Sequence, residues 1–283
     1  MENAAAMTPL QVIVLAIVQG ITEFAPVSSS AHLILVPYFL QWPDQGLTFD
    51  IATHVGTLIA TVSYFHRDVR DLIVGFYTGR PSSVAAGDGA AEYSARRLSW
   101  WIALGTLPGG VFGLLIKDWV ETGARSALLI AGTSIGYGLL LAFADRKGRK
   151  LREIGDFGWR EALIVGAAQA LALVPGTSRS GITITAALLL GFTRPAAARF
   201  SFLLAIPIMT VAAAVKLKDF LEAGVPASSE LMMLVLGIVV SAVTGYLVIA
   251  GLLSWLRRQT LDVFVVYRIA LGLVILATVY FRG

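Results

Sequence analysis

The 283-residue chain contains no cysteine, which excludes disulfide frameworks, thiol nucleophiles and cysteine-ligated zinc or iron–sulfur centres. Charge is scarce too. Asp, Glu, Lys and Arg make up 14% of the residues, against about 25% in an ordinary soluble domain. The 22 Lys and Arg and 18 Asp and Glu leave a net charge of +4, and the cations sit in short runs between apolar stretches. Nucleic-acid binding needs one water-facing basic patch, so no nucleic-acid partner is expected. The first ten residues hold Glu2 and no Lys or Arg, so no secretory n-region is expected. What the chain has instead is apolar surface. Hydrophobic residues reach 57% and mean hydropathy is +0.77, more than a soluble globule of this size could hide. Lipid is the expected solvent for most of the chain.

About 17 to 25 apolar residues are needed for a helix to cross a bilayer. Six stretches qualify, at approximately Phe49–Phe65, Leu98–Ile116, Ser126–Ala144, Phe200–Leu217, Leu231–Leu256 and Phe264–Phe281. Two further regions are interrupted. In one, Leu10–Val18 and Leu33–Leu40 flank GITEFAPVSSSAH; in the other, Ala162–Leu173 and Ile182–Phe192 flank VPGTSRSG. Proline should break the helix near Pro26 and near Pro175. Half-length helices around a polar turn predict a hairpin that enters the membrane and leaves on the same side. Such backbone is tolerated only against protein or a wet cavity.

The interrupted regions resemble each other. Gln19 followed by APVSSS matches Gln169 followed by VPGTSRS, and a Phe-led span follows each at a similar distance. The chain therefore reads as one integral membrane domain over residues 1–283, built from a repeat at about 8–144, a cytoplasmic loop at 145–160 and a second repeat at about 161–283. Three full spans per repeat is an odd number, so the copies have opposite orientations, an arrangement that puts sites near the midplane. The expected fold is an all-α polytopic membrane protein, with six transmembrane helices plus two re-entrant helix-loop-helix hairpins arranged as an inverted-topology repeat. Loop charge agrees: with both hairpins re-entrant, one face carries 15 Lys and Arg and the other 5. Positive loops mark the cytoplasm, so both termini are expected outside.

Ionisable residues at membrane depth are few: Glu23, His32, Asp50, His54, Arg179 and, nearer a helix end, Arg268. A charge there costs several kcal/mol, about 2.5 or more, so each should face a wet cavity or a partner. Glu23, Ser28, Ser29 and His32 lie at the first turn; Ser178, Arg179 and Thr183 lie at the second. Arg179 offers a planar fork suited to phosphate oxygens, and the half-helices present positive dipole ends to the turns. Ser29 is a candidate nucleophile if a base takes its proton, and His32 is the natural base. Glu23 could orient that histidine, act as base, or hold a divalent cation. Gln19, one turn before Glu23, can add a ligand or a hydrogen bond. Each piece also has a plainer reading. Glu23 and Arg179 could be a structural ion pair, the serines helix caps, and His32 a core histidine. Asp50 and His54, one turn apart on one span, could support the site from behind, but read rather as a helix-to-helix hydrogen bond. Arg268 reads as snorkelling to the inner interface or pairing with a neighbouring helix. The Gly79–Arg97 loop reads as a mobile connection without chemistry.

QGITEFAPVSSSAH and PGTSRSGITI resemble the two signature motifs of the undecaprenyl-diphosphate phosphatases, the bacitracin-resistance type, in the right order and separation. The resemblance implies an enzyme of the bacterial inner membrane that removes one phosphate from a C55 polyprenyl diphosphate lipid, with its site open to the outer side and a divalent cation (Mg²⁺ or Ca²⁺) required. It puts Glu23, Ser29, His32 and Arg179 at catalytic positions. Gln19, Ser28, Ser178, Arg179 and Thr183 then line the substrate, with Glu23 on the metal. Gln19 departs from the pattern, since many members have glutamate there. A transporter or flippase for a phosphorylated lipid carrier is the alternative, because inverted repeats with broken helices also build transporters. Membrane lipid is the other expected partner, and Gly132, Gly136 and Gly138 would permit close packing in a homodimer.

Overall fold

A computed structural model describes residues 7–78, 83–86, 90–115, 126–223 and 228–282. Proline placement explains its first interruption. Helix α1 (Pro9–Thr22) opens with Pro9 at its first turn and Thr8 capping it through a reciprocal bond with Gln11. It stops at Thr22, four residues before Pro26, where the proline ring would strike the carbonyl one turn back. After a turn, α2 (Ser29–Leu40) follows. The second interruption repeats this: α7 (Trp159–Ala170) tightens into a 3-10 turn at Leu171–Leu173, ahead of Pro175, and α8 (Arg179–Leu189) follows. The residues preceding α2 and α8 are Ser28 and Ser178, with φ of 77° and 71° and ψ of 99° and 116°. A non-glycine residue seldom adopts positive φ, and here both turns do so at the same place. In each, the serine hydroxyl lies 3.2 Å from the hydroxyl two residues on, Ser30 or Ser180.

Between and after these pairs run α3 (Gly46–Tyr64), α4 (His66–Thr78), α5 (Ala95–Leu115), α6 (Ala127–Lys147), α9 (Arg194–Ala223), α10 (Ser228–Leu256) and α11 (Asp262–Arg282). The six expected spans are helical over their described residues except at two ends, Phe65 and Ser126, which flank α3 and α6; Ile116 lies outside the described residues. Among the described residues, four helices are long and apolar enough to cross a membrane: Ala127–Lys147, Arg194–Val215, Glu230–Leu256 and Asp262–Phe281. The Gly79–Arg97 loop contains an antiparallel pair, β1 (Ser83–Ala86) and β2 (Ala90–Ser94); residues 79–82 and 87–89 lie outside the described residues. That pair is anchored, contrary to the reading of a loose connection. Buried Tyr93 donates to Asp68 Oδ1 at 2.5 Å, and Arg199 Nη2 reaches the same oxygen at 2.6 Å.

Each interrupted pair packs against a long helix of the other half. Helix α1 lies on α10 and α7 lies on α5. Glycine permits both approaches: a Cβ at Gly20 would come within 2.7 Å of Thr244, and one at Gly166 within 2.1 Å of the Gly105 carbonyl. On the Lys/Arg-rich side, Asp145 of α6 accepts from Arg194 at the start of α9 and from the Leu261 N–H before α11. Phe157, Phe192 and Phe200 stack there at 3.8 Å. The result is two polar turns held inside a helical shell.

Candidate active site

Glu23 is the first residue after α1, and its carboxylate is 6% exposed. Such a group is stable only when every lone pair has a partner. Helix α8 supplies one, Arg179 Nη2 donating to Oε1 at 3.0 Å. Gln19, one turn back on α1, donates to Oε2 at 3.0 Å, and Ser29 at the start of α2 donates to Oε2 at 2.8 Å. His54 of α3 places Nε2 3.5 Å from Oε2, while its Nδ1–H donates to the Asp50 carbonyl at 2.7 Å. One carboxylate thus gathers groups from four helices. The cluster is reachable: Ser29 and Arg179 are half-buried and the His54 side chain is 41% exposed.

The other sequence-expected residues are placed differently. Ser178 Oγ accepts from the Gly181 N–H and so caps α8. Thr183 donates to the Arg179 carbonyl and lies 2.7 Å from Ser201 Oγ. Ser28 turns its hydroxyl to Ser30. His32 stands apart from Glu23 and Ser29, with both ring nitrogens engaged. Its Nδ1–H donates to the Ser28 carbonyl at 2.6 Å, and Tyr267 donates to Nε2 at 2.6 Å. That is a neutral imidazole held as donor and acceptor at once. Among the described residues it forms no bond to Ser29.

Three groups were given too small a place by sequence reasoning. His54 was read as part of a helix-to-helix bond but faces the carboxylate; its spacing four residues from Asp50 was the available signal. Tyr267 carried no signal, being one aromatic in an apolar span. Arg268 is corrected outright: it is 1% exposed and buried between the turns instead of at an interface. It does meet a neighbouring helix, α6, but through backbone carbonyls. A lone cation inside a span was a fair signal of a special site; what hid its depth is that the turns reach in to meet it.

Among the described residues, no three His, Asp or Glu side chains form a metal-ligand group. Glu23 and Gln19 do lie together, and Gln19 Oε1 is buried without a partner. One carboxylate and one neutral oxygen form a sparse set. It is compatible with a cation of the Mg²⁺ kind, which keeps waters and is carried largely by substrate phosphates.

The family model for bacitracin resistance protein BacA matches residues 12–274. The chain is similar to the undecaprenyl-diphosphatase of Magnetococcus marinus, 52% identical over 265 residues, which is 94% of this chain and 97% of that one. It is also similar to the undecaprenyl-diphosphatase of Moorella thermoacetica, 48% identical over 276 residues, 98% of this chain and 100% of that one. A third protein of that name, from Geotalea daltonii, is 49% identical over 276 residues.

Proposed function

The chain belongs to the family of bacitracin resistance protein BacA, and from that premise we propose how its buried carboxylate works. The protein hydrolyses undecaprenyl diphosphate to undecaprenyl phosphate and inorganic phosphate, recycling the lipid carrier for cell-wall synthesis. The observation that carries the chemistry is the Ser29–Glu23–Arg179 contact. Ser29 Oγ sits 2.8 Å from one carboxylate oxygen and Arg179 Nη2 sits 3.0 Å from the other.

Arg179 holds the phosphates. Its guanidinium is positioned by Glu23 and by the Ser201 carbonyl, and its fork suits anionic oxygens. Ser29 Oγ attacks the terminal phosphorus in line, passing its proton to Glu23. The bond from that phosphorus to the bridging oxygen breaks, and undecaprenyl phosphate leaves. Water then attacks the phosphoserine, and Glu23 returns the proton to Ser29. Loose phosphoryl transition states respond mainly to positioning and charge neutralisation, which this cluster supplies. His32, tied to Tyr267 and Ser28, shapes the first turn. Ser28, Ser178 and Thr183 support the turns that carry Glu23 and Arg179. A divalent cation, when bound, would be held by Glu23 and Gln19 and would neutralise phosphate charge.

In the bilayer, α3, α5, α6, α9, α10 and α11 span, and the pairs α1–α2 and α7–α8 dip in and return. The short interrupted helices and the 15-to-5 bias of loop Lys and Arg support this reading. It puts the termini and the mouth of the site on the outer side of the inner membrane. Phosphate release from undecaprenyl diphosphate by purified protein in detergent, compared with the Ser29→Ala and Arg179→Ala variants, tests the site. Turnover in both variants within a few-fold of the unsubstituted protein would refute it.

A further inference from the structure

Arg268 sits on α11 among backbone carbonyls alone. Nε donates to Ser134 O at 3.2 Å; Nη1 donates to Pro26 O at 3.1 Å and Thr177 O at 2.9 Å; Nη2 donates to Thr133 O at 3.3 Å and Gly176 O at 2.9 Å. All five N–H donors of a guanidinium are used. Among the described residues no acid pairs with it. Burying an arginine this way is expensive, so its partners identify what it is for. Pro26 lies in the first turn, three residues after Glu23. Gly176 and Thr177 lie in the second, three and two residues before Arg179. Thr133 and Ser134 tie the same guanidinium to α6. Space is kept for it by glycine: a Cβ at Gly138 would come within 3.2 Å of the Arg268 Cβ, and one at Gly181 within 3.1 Å of Nη1.

We propose that Arg268 is a positioning residue, a fixed centre on which both turns are gathered, and that it, rather than the Glu23–Arg179 ion pair, holds those two residues in register. A planar five-donor fork can serve carbonyls from three elements at once; lysine, a point charge with three donors, cannot. The ion pair is then free to open when phosphate arrives without the turns separating. The kinetic part rests on the reading of Glu23 and Arg179 as the working pair; the structural part stands without it.

The absence of native cysteine makes spin-labelling direct. Labels at Ile21→Cys and Leu171→Cys, both exposed positions beside the turns, report their separation in the purified full chain by pulsed dipolar spectroscopy. A narrow distance distribution is expected in the otherwise unsubstituted protein and in Glu23→Ala, and a broadened one in Arg268→Lys. In unlabelled protein, Arg268→Lys should lower kcat by about 100-fold, as a displacement of about 1 Å at a reacting centre does, and change KM by less than about threefold, because the lipid tail's contacts are untouched. If Arg268→Lys does not fold, Gly181→Ala keeps the arginine but crowds Nη1 and the Ser178 side chain, and should broaden the distribution and reduce kcat about tenfold. A distribution that stays narrow in the variant measured overturns the proposal. So does one that broadens equally in Glu23→Ala, or one that broadens while kcat is unchanged. Failure of undecaprenyl diphosphate as substrate would leave the distance result standing and refute the functional reading instead.

Discussion

Glu23 and Arg179, 156 positions apart in the chain, meet at 3.0 Å between the ends of two interrupted helices. Neither belongs in hydrocarbon alone, and each makes the other's burial tolerable. A buried ion pair contributes little net stability, because desolvation offsets attraction. Its place at the turns suits the anion site proposed above, where the guanidinium exchanges a carboxylate for phosphate.

Arg179→Lys should keep a cation and lose the fork. KM for undecaprenyl diphosphate is expected to rise about tenfold or more, with a smaller fall in kcat, because lysine binds phosphate as a point charge. Steady-state phosphate release at varied lipid concentration checks it.

Ser29 is expected to carry phosphate transiently. Rapid quenching in acid, followed by mass spectrometry of the peptide containing Ser29, should find a phosphoserine that is absent from Ser29→Ala. If water attacks directly, no such peptide will form at any quench time.

Tyr267→Phe removes the donor to His32 Nε2 and leaves the Glu23 cluster alone. A typical hydrogen bond contributes about 1 kcal/mol net, so the rate should fall by about fivefold. A fall of 100-fold or more would put His32 in the chemistry rather than in the support of the turn.

How much of this was legible beforehand depends on which force decides each feature. Helix breaks follow from local covalent geometry, so Pro26 and Pro175 announced both interruptions, and α1 and α7 end where a proline ring would clash. The Glu23–Arg179 encounter was legible because unpaired charges are so costly in lipid. Positive φ at Ser28 and Ser178 was not, since nothing in a serine distinguishes strained from relaxed backbone. The β1–β2 pair was missed because its sequence is small and polar; its order comes from Tyr93 reaching Asp68 across 25 positions. The misjudged depth of Arg268 and the underrated His54 have one cause: sequence shows how far a residue lies along its own helix, not how far other elements reach toward it.

Burial and the bond to Asp68 push the Tyr93 hydroxyl well above its ordinary value. A group whose folded pKa is raised contributes stability that is complete below its unfolded pKa, about 10 for tyrosine, and that fades as pH rises beyond it. The thermal midpoint of the purified protein should therefore drop above about pH 10. Tyr93→Phe should be less stable near neutrality and show a shallower alkaline decline. Parallel pH profiles for the two proteins would contradict the assignment.

The most direct test of the account is single-turnover phosphate release by Glu23→Gln, which preserves size and hydrogen-bonding reach but cannot take the Ser29 proton. The account predicts a rate at least about 100-fold below the unsubstituted protein, the usual worth of a general base, with the variant still folded and still binding lipid. A Glu23→Gln protein that released phosphate within about twofold of the normal rate, where a general base should count for far more, would contradict it.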